Sequence, residues 1–411
     1  MNKPELLAPV GNWKMLRAAI DSGADAVYFG VDKLNMRAKA NNFTIDELNE
    51  IVEYCSSNNV DTHLTLNTIV HEDELIYLDE VVRAAKNAGV TLIICWDMAV
   101  IEKCRELQMP FCISTQASIS NVASVNMYKA LGATRIVLAR ECTLEKISEI
   151  KSKSDIEIET FVHGAMCVAI SGRCFMSHSV FGKSANKGEC IQPCRREYKI
   201  YDSDGGVEFL LGEDYVMSPK DLCTIKFIDL LIDAKIDSFK IEGRKRSPEY
   251  ITKVISTYRK AIDYYYEGKL TEEIKEEMYN ELSKVYNRGF STGFYFGTPD
   301  GQDFAQKYGS MATTRKTYIG KVLNYYKKSK IVHVRLEAGA LLVEDPVYII
   351  GDTTGCVETR VKSLVKDEVQ ITLGNKGDEV TFYCEKEVRT RDQLFKIFDV
   401  DQDAANNIQL T

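Results

Sequence analysis

The hydrophobic pattern of the first 245 residues alternates short apolar runs with amphipathic stretches of helical periodicity. The apolar runs have the length and composition of strands. We predict eight of them: Glu5–Val10, Asp25–Gly30, Asp61–Asn67, Val90–Trp96, Phe111–Gln116, Thr134–Arg140, Ile156–Val162 and Asp237–Glu242. Nearly continuous apolar strands are typical of a parallel sheet that is covered on both faces. Eight strand–helix repeats therefore predict an α/β fold of the (β/α)8 TIM-like barrel type.

A doubly wound open sheet is the alternative fold, because it has the same alternation of strands and helices. The eight strands favour the barrel. Pro9-Val10-Gly11-Asn12 follows the first strand, where a dinucleotide-binding fold has a glycine-rich turn. The sequence therefore gives no support to a dinucleotide-binding function.

The spacing of the predicted strands indicates one insertion. Strand starts lie about 20 to 36 residues apart up to the seventh strand, after which about 80 residues precede the eighth. A loop that follows a strand of this barrel lies on the C-terminal face, where the active sites of the fold are found. We therefore expect the insertion, at about residues 164–215, to lie at the mouth of the barrel.

From about Thr317 the pattern changes to short alternating strands, such as Ile331–Leu336 and Pro346–Gly351, separated by turn residues. This pattern predicts a small antiparallel C-terminal β-barrel. A chain of 411 residues is long for one core, since cores stop growing near roughly 250–300 residues. We predict a catalytic barrel over 1–310 and an accessory domain over 311–411.

Composition narrows the class of protein. Hydrophobic residues make up 45% and charged residues 27% of the chain, and no run approaches the ~18 apolar residues of a membrane span. The N-terminus lacks a basic region and a small-residue cleavage site. We expect a cytoplasmic protein without a membrane partner. The net charge of −8 argues against indiscriminate coating of nucleic acid but leaves room for local basic patches.

Four cysteines of the predicted insertion fall within 28 residues: Cys167, Cys174, Cys190 and Cys194. Cytosolic thiols stay reduced, which disfavours disulfides. Their spacing, Cys-x6-Cys-x15-Cys-x3-Cys, differs from the two close Cys-x2–4-Cys pairs of structural zinc sites. Four thiolates on one loop suit a 4Fe-4S cluster. An iron–sulfur cluster, zinc and ordinary thiols all remain open at this point.

Polar residues at the ends of the predicted strands point to the barrel mouth, where they become candidate site residues. His163, Glu141 and Glu242 are candidates for catalytic proton transfer. Arg140 and Arg244 are suited to binding a carboxylate, because a guanidinium binds it through two hydrogen bonds. The full set of candidate substrate-binding residues is Asn67, Gln116, Arg140, Lys240 and Arg244.

Several separate motifs closely resemble the collagenase-like peptidase family of unassigned catalytic type. The likeness extends from Glu5 to about residue 300, and the predicted C-terminal domain is also similar to that of many members. The motifs lie at Glu159–Cys167, Ser171–Cys174, Asn186–Arg195, Ser218–Cys223 and Lys240–Arg244.

The resemblance implies a function other than proteolysis. Members of this family include proteins of wobble-uridine hydroxylation in transfer RNA, cytidine hydroxylation in ribosomal RNA and anaerobic ubiquinone synthesis. It implies that Cys167, Cys174, Cys190 and Cys194 ligate a 4Fe-4S cluster and that prephenate is the oxygen-donating co-substrate. All four ligand positions are kept, and the chain length is similar to that of the transfer-RNA branch, which forms 5-hydroxyuridine. A cluster lost in air would leave free thiols or adventitious zinc.

Two other functions stay open. A peptidase has little support, since the chain has no His-Glu-x-x-His helix and four clustered thiols are more than a Cys–His nucleophile requires. The third interpretation is a non-enzymatic iron–sulfur partner subunit in a hydroxylation pathway. A partner subunit or a homo-oligomer is compatible with each of these functions.

Overall fold

The computed structural model describes residues 3–38, 42–169, 173–196, 217–305, 307 and 309–400. Its N-terminal part contains the strands β1 (Glu5–Pro9), β2 (Ala26–Phe29), β3 (Asp61–Leu66), β4 (Leu92–Cys95), β5 (Phe111–Ile113), β6 (Arg135–Val137), β7 (Glu157–Ala165), β8 (Asp221–Cys223), β9 (Ser238–Ile241) and β10 (Phe290–Ser291). Strands β1 to β7 pair in parallel in chain order. Strand β9 pairs with both β7 and β1 and closes the barrel. The predicted (β/α)8 barrel is therefore confirmed, and the open sheet is excluded.

Helices alternate with the strands along the chain. They are α1 (Trp13–Asp21), α2 (Leu48–Ser57), α3 (Leu75–Ala88), α4 (Met98–Glu106), α5 (Val122–Ala130), α6 (Leu144–Ser152), α7 (Met176–Phe181), α8 (Ile228–Asp233), α9 (Pro248–Tyr266) and α10 (Glu272–Ser283). Those other than α7 cover the outer face of the barrel. Five of them begin after a polar residue whose side chain accepts a hydrogen bond from a backbone N–H of the first turn: Asn12, Asp97, Asn121, Thr143 and Thr271. No helix in the described ranges is long and apolar enough to cross a membrane.

The segment between β7 and β9 holds the predicted insertion. Its short helix α7 lies above the barrel, and β8 pairs antiparallel with the end of β7. Strand β10 then extends this edge by pairing with β8. Residues 170–172 and 197–216, which include Ser171 and Gly172 of the family-like motif, lie outside the described residues. The described part of the insertion is thus anchored directly to the C-terminal end of β7.

The C-terminal part is a separate antiparallel structure. Its strands are β11 (Thr314–Tyr326), β12 (Ile331–Leu336), β13 (Leu341–Leu342), β14 (Pro346–Gly351), β15 (Gly355–Arg360), β16 (Leu364–Lys366), β17 (Val369–Ile371), β18 (Leu373–Gly374), β19 (Glu379–Tyr383) and β20 (Gln393–Asp399). Eight form one sheet in the order β15-β14-β20-β11-β12-β19-β16-β17, and β13 pairs with β18. A hydrophobic core of its own, built around Val322, Val334 and Phe382, fills this part. The domain boundary at residue 310 stays a prediction.

The antiparallel sheet packs on α1 and α9 of the barrel. Gly355 has a φ of +73°, and a Cβ there would lie 2.9 Å from the backbone nitrogen of Ala18, so the close approach requires glycine. Lys253 of α9 pairs with Glu358 of β15 at 3.1 Å. The two parts therefore share a packed interface on the helical wall.

Candidate active site at the barrel mouth

A cavity of about 1120 Å³, counted out to its open mouth, lies at the C-terminal ends of the barrel strands. It brings together two groups of residues that are far apart in the sequence. The first group consists of predicted substrate-binding and catalytic residues from the strand ends: Asn67, Gln116, Arg140, Lys240, Glu242 and Arg244. The second group consists of all four cysteines of the insertion: Cys167, Cys174, Cys190 and Cys194.

Three of the four half-buried sulfurs accept hydrogen bonds from the insertion itself. The backbone N–H of Ala169 donates to Cys167 Sγ at 3.4 Å, and that of Met176 donates to Cys174 Sγ at 3.3 Å. The hydroxyl of Ser177, in the first turn of α7, donates to Cys190 Sγ at 3.8 Å. Such donors stabilise thiolates and tune metal centres that thiolates bind.

The loop that carries Cys190 is fastened to the barrel. Gly188 has a φ of +81°, and a Cβ there would meet the backbone oxygen of Asn35 at 2.2 Å. The neighbouring Lys187 donates to the backbone oxygen of Ile69 at 2.9 Å and pairs with Glu74 at 2.5 Å. The Asn-Lys-Gly-x-Cys motif therefore fixes the position of its cysteine through contacts with the loops that follow β2 and β3.

The four sulfurs line one cavity without forming a close group of three. Among the described residues, one group of three His, Cys, Asp or Glu side chains has its ligand atoms within 4.8 Å of one another: Glu5, His63 and Glu159. No three of the four sulfurs lie that close together. A tetrahedral zinc ion with bonds of about 2.3 Å holds its sulfurs about 3.8 Å apart. A cubane takes one thiolate at each of four irons, which sets the sulfurs farther apart. The four sulfurs are therefore not gathered at the spacing of a zinc site, and four thiolates on one cavity wall are a donor set that a 4Fe-4S cluster uses.

Two ion pairs form the floor and wall of the cavity. Lys240 Nζ lies 2.6 Å from Glu159 Oε1, and both side chains are buried. Arg37 Nη2 lies 3.1 Å from Glu242 Oε1. Burial alone would raise the pKa of Glu242, but the charge of Arg37, followed by those of Arg140 and Arg244, lowers it to about 2. Glu242 is therefore a carboxylate at neutral pH.

Two guanidinium groups in the cavity have no carboxylate partner at hydrogen-bond distance among the described residues. Arg244 Nη1 donates to two neutral oxygens, Asn35 Oδ1 and Thr65 Oγ1, both at 3.1 Å. Burial lowers the pKa of Arg244 to about 10, which leaves it a cation at neutral pH. Arg140 stacks 3.9 Å from the centre of the Phe161 ring, and its buried Nε has no hydrogen-bond partner in the described ranges.

Counted over its lysine, arginine, aspartate and glutamate side chains alone, the cavity lining is positively charged. Among its described residues one is acidic, Glu242, and five are basic: Arg37, Arg140, Arg195, Lys240 and Arg244. Buried cations that lack a counter-charge are costly unless an anion binds them. The arrangement is therefore suited to an anionic ligand, and guanidinium groups without a carboxylate partner favour a carboxylate because each can bind it through two hydrogen bonds.

His163 and Glu141, two of the predicted catalytic residues, do not line this cavity. The pairing of β7 with β9 shifts between Phe161 and His163, so a bulge reverses the inward–outward alternation at that point. His163 is consequently buried behind the strand, with ring centroids of Tyr258 and Phe290 each 5.5 Å away. Burial lowers the pKa of His163 to about 3. Its environment is that of a neutral core histidine.

Sequence reasoning missed Arg37 and Glu159. Arg37 lies in the long loop after β2, on the same barrel face as the predicted residues, so its place after a strand was an available signal. Glu159 is inside the barrel and also contacts Arg135, at 3.4 Å. Arg135 in turn pairs with Glu5 at 2.6 Å, so a buried ionic chain runs from the cavity floor toward the opposite end of the barrel.

Comparison with known proteins identifies the family to which the chain belongs. The family model of Peptidase family U32 matches residues 11–304. The chain belongs to this family. All residues that line the cavity lie within the matched segment of this U32 chain.

Three relatives show how far the likeness of this U32 chain extends. A collagenase of Porphyromonas gingivalis is 37% identical over 96% of the chain and 98% of the relative. The tRNA hydroxylation protein P1 of Bacillus subtilis is 41% identical over 80% of the chain and 79% of the relative. The 23S rRNA 5-hydroxycytidine C2501 synthase of Escherichia coli is 38% identical over 63% of the chain and 39% of the relative.

Proposed function

We propose that this chain is an RNA-modifying enzyme that hydroxylates the wobble uridine of transfer RNA to 5-hydroxyuridine, independently of molecular oxygen. One observation carries the proposal: four thiols and two guanidiniums without carboxylate partners in the described ranges line the same cavity. Relatives named as tRNA hydroxylation proteins and as an rRNA hydroxycytidine synthase support RNA hydroxylation as the general activity. Because transfer RNA is the substrate, the site of action is the cytoplasm.

The cofactor of the proposed reaction is a 4Fe-4S cluster held by Cys167, Cys174, Cys190 and Cys194. Such a cluster supplies one-electron redox chemistry. The chain contributes the hydrogen bonds to three sulfurs and the apolar side chains of Met166 and Met176, which limit the access of water. Four thiols freed by loss of the cluster in air would bind zinc as a substitute.

The proposed co-substrate is prephenate, a dicarboxylate that provides the oxygen. Arg140 and Arg244 would each bind a carboxylate group, since both guanidiniums face the cavity without a carboxylate partner in the described ranges. The side chains of Asn67 and Gln116 add amide groups at the same wall, 3.5 Å from each other. Lys240, fixed by Glu159 on the floor, adds a further positive charge.

A peptidase is the second candidate, because a relative named collagenase matches nearly the whole chain. A cysteine peptidase needs a histidine beside the thiol to activate it. None of the described cavity-lining residues is a histidine, and His163 packs behind β7. A metal-free preparation that cleaves gelatin, and that loses this activity on substitution of one cysteine only, would favour the peptidase. A cluster-bearing partner subunit would instead co-purify with a separate catalytic chain.

The test of the proposed function is genetic. The gene is deleted and 5-hydroxyuridine derivatives are measured by mass spectrometry in digested transfer RNA. We expect them to disappear in a strain without a paralogue and to return with the wild-type gene. The Cys190→Ala gene should fail, whereas Cys384→Ala, which alters a buried thiol of the antiparallel sheet, should restore them. Unchanged levels after deletion would contradict the proposal.

A further inference from the structure

The cysteine segment, defined as residues 167–196, exposes large apolar side chains around the mouth of the cavity. Phe175 is 78% exposed and Phe181 is 37% exposed. Val168, Val180 and Ile191 of the same segment are also exposed. Single exposed apolar residues are ordinary, but several in one short segment beside a ligand cavity indicate a surface that binds something.

Helix α7 begins directly after Phe175 and ends at Phe181, and its inner side faces the sulfurs. Met176 lines the cavity, and Ser177 is buried with its hydroxyl on Cys190 Sγ. Phe175 immediately follows Cys174 and precedes the helix, while Phe181 is its last residue. Phe175 therefore lies between two residues that line the cavity, Cys174 and Met176.

Arginine side chains stack on aromatic rings at this rim. The Arg196 guanidinium lies 4.7 Å from the centre of the Phe181 ring. Arg173 lies 4.8 Å from the Trp96 ring and donates from Nε to the backbone oxygen of Gln116 at 2.8 Å. Paired guanidinium and aromatic faces are the groups on which unpaired nucleobases stack, and the arginines also contact phosphates.

The charge of the cysteine segment is opposite to that of the whole chain. The segment contains one acidic residue, Glu189, and five basic residues, which gives a net charge of 5 − 1 = +4, whereas the chain carries −8. Lys187 and Arg195 are used in internal contacts, but Arg173, Lys183 and Arg196 are exposed. This local field attracts a polyanion to the mouth.

We propose that Phe175 and the Phe181–Arg196 pair form a stacking surface for the unpaired nucleotides that flank the target base of an RNA loop. The inference rests on the proposed function and names its recognition element. A base in a duplex must first be unstacked and unpaired to enter the cavity, so a single-stranded loop presents its base at the lowest energetic cost. Stacking of its neighbours then directs the target base toward the sulfurs and the arginines.

The test measures RNA binding by protein purified without air. The probe is a fluorescently labelled anticodon stem–loop with an unmodified wobble uridine, followed by anisotropy. Phe175→Ala and Phe175→Leu should each weaken Kd about tenfold, since stacking on an aromatic face is lost, and Phe175→Tyr should stay within about twofold. Leucine keeps the apolar bulk and so separates stacking from simple burial. Met127→Ala, which removes a 64% exposed side chain of α5, is the control and should bind as the wild type does.

A second measurement examines the arginine. Arg196→Gln should reduce the slope of log Kd against log salt concentration by about one unit, whereas Phe181→Leu should weaken binding without changing the slope. Iron and sulfide content is measured in every variant, and we expect it to equal that of the wild type.

The outcomes separate the inference from the function on which it rests. A wild-type protein that neither binds the stem–loop nor restores 5-hydroxyuridine in cells would defeat the proposed function. A wild-type protein that does both, while Phe175→Leu and Phe181→Leu bind the stem–loop equally well, would overturn the stacking surface alone. The stacking surface would also be overturned if these variants changed the oligomeric state and left RNA binding unaltered, because a second protein copy would then cover it.

Discussion

Lys240 Nζ lies 2.6 Å from Glu159 Oε1 on the floor of the cavity, and the two side chains are 6% and 0% exposed. The pair joins the cavity at the barrel mouth to the interior of the barrel. Glu159 also contacts Arg135, so its carboxylate balances two buried cations. The position of Lys240 in the cavity therefore depends on a carboxylate that does not itself line the cavity.

Removal of that carboxylate should destabilise the protein. In Glu159→Gln the buried Lys240 ammonium loses its counter-charge, and we expect the free energy of unfolding to fall by about 3–5 kcal/mol. Denaturant titration measures this change. Glu159→Gln combined with Lys240→Met should recover part of the loss, because no unpaired ammonium remains. An unfolding midpoint of Glu159→Gln equal to that of the wild type would show that the pair does not hold Lys240.

The pH dependence of stability should reveal the buried histidines. Burial lowers the pKa values of His63 and His163 from their usual 6.5 to about 3. Below pH 6.5 the unfolded chain gains these protons while the folded chain does not. The contribution of the two histidines to the free energy of unfolding is therefore full above pH 6.5 and is lost as pH falls toward 3. Each histidine should contribute up to about 1.4 kcal/mol per pH unit over that window.

His163→Phe provides the matched measurement for one of these two histidines. Unfolding titrations at several pH values give the slope of the free energy of unfolding against pH. Below pH 6.5 this slope should be smaller in His163→Phe by about the contribution of one histidine. The aromatic replacement preserves the packing against Tyr258 and Phe290. A variant with the wild-type slope would indicate a histidine that is charged in the folded state. A large loss of hydroxylation without any change in the free energy of unfolding would show that His163 is a catalytic residue.

The guanidinium groups should bind the carboxylate co-substrate. Arg140→Lys and Arg244→Lys retain the charge but lose the two parallel hydrogen bonds of the guanidinium fork. We expect each to weaken binding of prephenate at least about tenfold in isothermal titration calorimetry. Arg105→Lys, on the exposed side of α4, is the control and should bind as the wild type does. Equal affinities for all three variants would place the carboxylate elsewhere.

The hydrogen bond from Ser177 to Cys190 should tune the proposed cluster. Ser177→Ala removes a donor to the sulfur, which makes the reduced, more negative state less favourable. One hydrogen bond of about 1 kcal/mol corresponds to a potential roughly 40 mV more negative, at about 59 mV per tenfold. A redox titration followed by electron paramagnetic resonance measures the shift. An unchanged potential in a variant with full iron content would show that this donor does not act on the cluster.

The barrel could be predicted from the sequence because each strand–helix repeat carries a recognisable pattern of apolar residues, which the fold buries. Strand order then placed Asn67, Gln116, Lys240 and Arg244 on one face, and the structure brings them together. The same logic did not locate His163, because a bulge in β7 reverses the alternation after Phe161 and no residue pattern marks it. Glu159 was missed for another reason: the role of a carboxylate inside a barrel can be assigned only once its ion-pair partners on β6 and β9 are known.

The most direct measurement of the central claim is the metal content of protein purified without air. We predict about four iron and four sulfide per chain with the absorption of a 4Fe-4S cluster. The iron and sulfide content should be lost in Cys190→Ala and should stay at the wild-type level in Cys384→Ala, because Cys384 lies in the core of the antiparallel sheet. One zinc per chain, or no metal, in the anaerobic wild-type protein would contradict a redox cluster at the barrel mouth.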